Sequence, residues 1–62
     1  MAKNFDVGQT VYFWDLAKGR VAPANYRGQI NHAACIVVDG YQFSIPLYDV
    51  YGTPEEVKPI AI

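Results

Sequence analysis

A second cysteine is missing, and with it any internal disulfide: Cys35 is the one thiol in a chain of 62 residues. One cysteine and one histidine, His32, also fall short of the four ligands that a structural zinc site takes. No apolar run approaches the roughly 20 residues that a membrane span requires. No charged leader with an apolar core precedes a cleavage site, so no secretory signal is expected. A free thiol suits a reducing interior, and the chain reads as cytoplasmic. The five glycines are scattered singly, so no phosphate-cradling loop precedes a helix. Repeats, low-complexity runs and linkers are lacking, and residues 1–62 are expected to form a single domain.

Excess positive charge is lacking too. The net charge is −1, which argues against a general nucleic-acid binder. The charges are nevertheless unevenly placed. Residues 17–38 hold Lys18, Arg20 and Arg27 and no acid, whereas residues 39–62 hold Asp39, Asp49, Glu55 and Glu56 against Lys58 alone.

What the chain does have is apolar and aromatic mass, 52% and 15% of its residues. A domain of this size buries only about 60% of the surface its unfolded chain exposes. Aromatics supply the most burial per residue, and so can make a small core sufficient. Much of this mass falls in strand-like runs. Val11-Tyr12-Phe13-Trp14 is β-branched and aromatic, and period-two alternation sends Val11 and Phe13 to the core and Tyr12 and Trp14 to the other face. Between Arg20 and His32, Pro23 belongs at an edge or a bulge, and Gly28 suggests one long strand bent at that point. Asn31-His32 reads as a turn. Ala34-Cys35-Ile36-Val37-Val38 is apolar on both faces, as a central strand should be. Asp39-Gly40 accepts positive φ at both central positions of a type I′ turn. Beyond it, Tyr41, Phe43 and Ile45 point one way, with Phe43 and Ile45 filling the core, while Gln42 and Ser44 face water.

The stretch from Phe43 to Glu56 then reads as a barrel closure. Pro46 ends a strand, Pro46-Leu47-Tyr48-Asp49 suits a 3₁₀ turn, and Val50-Tyr51 suits a short last strand. Thr53-Pro54-Glu55-Glu56 fits a capping box, with Thr53 as N-cap, Pro54 at the first helical position and Glu56 reaching back. Pro59 stops the element after about one turn. Ile60-Ala61-Ile62 is apolar enough to pack across the barrel or add to an edge strand. The expected fold is all-β: a small five-stranded SH3-like barrel with a 3₁₀ turn before the last strand and a short C-terminal helical turn. Gly8-Gln9-Thr10-Val11-Tyr12, Gly28-Gln29-Ile30 and Ile45 through Glu56 together resemble a pattern of small uncharacterised bacterial and prophage proteins. In that pattern G-x-x-V-Y, G-x-I, I-P and D-V-Y/F-x-T-x-E-E follow one another. The resemblance implies the same small SH3-like barrel. The chain departs from the pattern at Pro23-Ala24-Asn25.

Candidate chemistry is sparse. His32 and Cys35 are three residues apart, which on a strand puts them on opposite faces. Cys35 is expected to be a small buried apolar residue, and His32 to sit in water. The glutamates are explained by capping and Asp49 by turn formation. No catalytic residues, metal or cofactor are expected, and the chain does not read as an enzyme.

Tyr12, Trp14, Tyr26, Tyr48 and Tyr51 are the candidate binding residues, because aromatics with polar tips exceed what one small core needs. The expected function is a non-catalytic protein-binding module, phage-encoded or prophage-encoded and acting on a host protein. The expected partner is therefore a protein, with a homodimer compatible and no membrane contact. An alternative is a nucleic-acid accessory protein with Lys18, Arg20 and Arg27 beside Trp14 and Tyr26. A second is a self-assembling structural component joined through its basic and acidic poles or its tail.

Overall fold

The computed structural model describes residues 4–59. The expected behaviour of Ile60-Ala61-Ile62 lies outside them. Four strands, β1 (Thr10–Asp15), β2 (Arg20–Ile30), β3 (Ala33–Val38) and β4 (Tyr41–Pro46), form one antiparallel sheet in the order β1-β2-β3-β4. Two 3₁₀ turns follow, Leu47–Asp49 and Pro54–Glu56. Among the described residues no helix is long and apolar enough to cross a membrane.

The connections follow from local chemistry. After β1, Asp15 Oδ1 accepts the N–H groups of Ala17 and Lys18 at 3.0 and 3.2 Å. Gly19, at φ +63°, donates its N–H to Asp15 O at 2.7 Å and turns the chain into β2. Asn31, at φ 55°, takes the left-handed conformation that asparagine tolerates and carries the chain from β2 to β3. Asp39 and Gly40, at φ 51° and 82°, form the two-residue turn between β3 and β4, with Val38 opposite Tyr41.

β2 holds the sheet together. Its first half pairs with β1, from Asp15–Arg20 to Thr10–Asn25, and its second half pairs with β3, from Asn25–Val37 to Ile30–Ala33. The register shifts between Tyr26 and Gly28, where Gly28 has φ +127°. That bulge is the bend expected from the sequence.

Pro23 sits inside β2 without costing a ladder bond. Its partner Tyr12 turns both backbone groups away from β2, donating to Tyr51 O and accepting from Tyr51 N–H, each at 2.8 Å. By antiparallel alternation, Pro23 turns its own backbone toward the β3 side. β3 pairs with β2 only from Asn25–Val37 onward, so no acceptor there awaits the missing N–H.

One face of the sheet is the core. Val11, Ala34, Ile36 and Val50 are fully buried, with Phe13, Ala22, Ala24 and Tyr26 nearly so; Val57 is also buried, outside this cluster. Phe5 packs edge-on to Tyr26, ring centroids 5.4 Å apart. Phe5 and Leu47 cover this face from outside the sheet. Among the described residues no polar or charged side chain is buried.

Three expectations need correction. The fold is not a five-stranded barrel but an open four-stranded sheet. The fifth strand shrinks to one isolated bridge, Tyr12–Tyr51, because the chain bends at Gly52-Thr53 and Pro54 then starts a 3₁₀ turn. The sheet curls enough for Phe13 on β1 and Phe43 on β4 to meet edge to face, centroids 6.1 Å apart, yet no ladder joins these two edge strands.

Second, Phe43 does not fill the core. It is 41% exposed, and Tyr41 on the same face 76%, because β4 is an edge strand that the covering segments leave bare; Ile45 is half-buried. Third, Thr53 makes no capping bond to a backbone N–H. Its hydroxyl instead donates to Glu56 Oε1 at 2.8 Å.

Two stability measurements check this packing. Ile36→Ala should cost about 2–5 kcal/mol in denaturant unfolding, as truncation of a fully buried aliphatic does. Moving the proline by one residue, as Pro23→Ala with Ala24→Pro, should cost at least about 1–3 kcal/mol. Ala24 is paired with Val11 and directs its N–H toward β1, so the swap orphans a buried carbonyl.

Candidate functional site

β1 sorts the aromatic candidates by its pleat. Tyr12 and Trp14 lie on the face opposite Val11 and Phe13, and both are half-buried. Tyr51 is held directly opposite Tyr12 by the two bridge hydrogen bonds, which puts their side chains on the same face. Trp14, Tyr12 and Tyr51 therefore form one group at the outer edge of β1. Tyr26 is not part of it. It is 4% exposed and spends its ring on the core and on Phe5, which removes it from any binding surface. Tyr48 is 69% exposed and lines a different groove.

Three grooves surround these residues. The first, about 560 Å³, opens between the two edges of the sheet and is lined by Trp14, Leu16, Ile45, Pro46 and Tyr51, by buried Phe13 and Val57, and by the charged Asp15, Asp49 and Lys58. The second, about 690 Å³, lies on β3 and β4 between Ile30, His32, Cys35, Pro46 and Tyr48. The third, about 440 Å³, gathers Lys18 and Arg20 with Val21, Pro23, Asn25 and Asp39.

The cationic candidates are divided. Lys18 and Arg20 share the third groove, but Lys18 Nζ lies 3.9 Å from Asp39 Oδ2, so an acid sits among them. Arg27 is exposed and lines none of these three grooves. No aromatic side chain lines the groove that holds Lys18 and Arg20. The stacking partners proposed for a nucleic acid, Trp14 and Tyr26, are thus in another groove and in the core.

Cys35 is half-buried rather than buried, because it lies on the face of β3 away from the core, opposite Ser44. His32 is exposed in its turn, as expected. Among the described residues no three His, Cys, Asp or Glu side chains gather closely enough to hold a metal ion.

Sequence reasoning missed the apolar walls of the first groove. Leu16 carried a signal, as an apolar residue inside an otherwise polar turn, and it is 52% exposed. Ile45 and Pro46 carried none, because their place beside β1 depends on the curl of the sheet.

No protein-family model matches the chain, and comparison with curated proteins and with solved structures likewise finds no match.

Tyr26 and Trp14 should separate cleanly on substitution. Tyr26→Ala should destabilise by about 3–5 kcal/mol in chemical denaturation, the cost of emptying a buried aromatic site. Trp14→Ala should cost clearly less, since Trp14 retains solvent contact. Equal losses would place Trp14 in the core.

Proposed function

We propose that the chain is a small non-catalytic protein-binding module that takes an apolar peptide segment into the groove between the edges of its sheet. The observation that carries this reading is a gap that Trp14 and Tyr51 line together with Leu16, Ile45 and Pro46. Large aromatics with apolar neighbours around a concavity are what hot spots for peptide binding are made of. Tyr12, held beside Tyr51, extends the same aromatic surface. In a prophage setting, which the sequence pattern suggests, the target would be a host protein.

The nucleic-acid alternative has less support. Phosphate binding draws on uncompensated cations, and the groove containing Lys18 and Arg20 also contains Asp39 and offers no aromatic platform.

Trp14 is the only tryptophan, so its fluorescence reports on the groove directly. Peptides selected by display against the immobilised protein should shift that emission on binding. Trp14→Ala and Leu16→Lys should each weaken the same peptides at least tenfold, about 1.4 kcal/mol, with circular dichroism unchanged. Peptides that bind both variants as well as the parent would overturn this site. Affinity should also be nearly flat in salt; a steep fall, with oligonucleotides competing, would move the function to nucleic acid.

A further inference from the structure

β4 is an edge strand with an unusual surface. It carries no charged residue between Tyr41 and Pro46, whereas exposed edges are commonly blunted by charge. Its backbone directions follow from the turn. A two-residue hairpin makes Val38–Tyr41 a hydrogen-bonded pair, so Tyr41, Phe43 and Ile45 turn their backbone groups to β3. The Leu47 N–H to His32 O bond, 2.7 Å, continues the same parity. Gln42 and Ser44 therefore present their N–H and C=O groups outward. Pro46 presents a carbonyl and no N–H, and ends the usable edge there.

We infer that this edge pairs with the β4 edge of a second copy of the chain, antiparallel and centred on Phe43. In that register Gln42 of each copy exchanges both backbone hydrogen bonds with Ser44 of the other. Phe43 stands opposite Phe43, and Tyr41 opposite Ile45. Every pair on the core-side face is then apolar, and every pair on the opposite face is the neutral polar pair Gln42–Ser44. A shift of one residue would put Tyr41 or Phe43 opposite Gln42 or Ser44, and a shift of two would set Ser44 against the turn at Gly40 or Gln42 against Pro46, which has no N–H to give. Only the register centred on Phe43 pairs every outward N–H and C=O of Gln42 and Ser44 within the strand.

Two features argue for a second copy as the occupant. The edge is complementary to itself under a two-fold axis, the usual arrangement of a homodimer. Its uncharged side chains and the chain's net charge of −1 also leave little repulsion between copies. The dimer would cover Tyr41 and Phe43, the aromatic pair that the monomer leaves exposed on its core-side face. It requires nothing of the Trp14 groove.

Sedimentation of the full chain at millimolar concentration should give twice the chain mass, falling to one on dilution. Ser44→Pro removes an outward N–H without touching the β3 ladder and should give a monomer. If that variant fails to fold, Gln42→Lys with Ser44→Lys alters only exposed side chains, brings like charges together across the axis, and should also give a monomer.

The register has its own test in a Cys35→Ser background. Phe43→Cys should cross-link two copies on mild oxidation, since it meets its own mate. Gln42→Cys should not, because its mate lies at a diagonal of about 7–8 Å, beyond disulfide reach. A wild-type monomer at millimolar concentration overturns the inference. If the Gln42 and Ser44 amides of that monomer are slow to exchange, the edge is occupied from within the same chain. A dimer that survives both edge variants, or that cross-links through Gln42→Cys and not Phe43→Cys, overturns it as well.

Discussion

The divided pairing of β2 is the constraint on which the molecule rests. One strand of eleven residues hydrogen-bonds β1 through its first half and β3 through its second. The two halves cannot run straight and still present one core face, so the register shifts between Tyr26 and Gly28, with Gly28 at φ +127°. A residue with a Cβ pays for that conformation in strain, and glycine does not. On the inner face of β2, Ala22 and Ala24 are small beside their β1 partners Phe13 and Val11, while Tyr26 supplies bulk beside the bend. Phe13 can then reach Phe43 across the curl.

The two edges of the sheet meet different fates. The outer edge of β1 is blocked at Tyr12 by Tyr51, and the segment that follows buries Val57. The outer edge of β4 receives no such segment. An edge without a partner leaves both backbone polar groups and the adjoining side chains to solvent, which is why Phe43 is 41% exposed despite sitting on the core-facing side. Burial here is decided by sheet position, not by the alternation of the strand itself.

That distinction marks how far the sequence could be read. Features set by neighbours along the chain were legible: the Asp39-Gly40 turn, the Asn31-His32 turn, the bend at Gly28, the 3₁₀ turn after Pro46, and Val11 and Phe13 as core. Each depends on a dihedral preference or on the pleat. Features set by distant segments were not. Whether Val50-Tyr51 extends into a strand depends on how long it stays beside β1, and Gly52-Thr53-Pro54 takes it away after one bridge. Tyr26 looked like its exposed counterparts in sequence because a tyrosine with a polar tip suits either setting, and only Phe5 and the bend decide for the core. The candidate site was half legible. Tyr12, Trp14 and Tyr51 came together through one bridge, while Tyr48 and Tyr26 went elsewhere.

The missing closure and the candidate site have a single origin. A fifth strand long enough to join β1 to β4 would occupy the gap that Trp14, Leu16, Ile45 and Tyr51 now line, and would take up the outward amides of Gln42 and Ser44. With Pro54 ending that possibility, the chain keeps a largely apolar gap and an uncharged edge that its described residues do not fill. In a domain this small, apolar surface left in water is a large share of the total that could have stabilised it. Such surface has value chiefly where another chain covers it. The two openings differ in what they can accept: the gap admits side chains, and the edge admits a backbone.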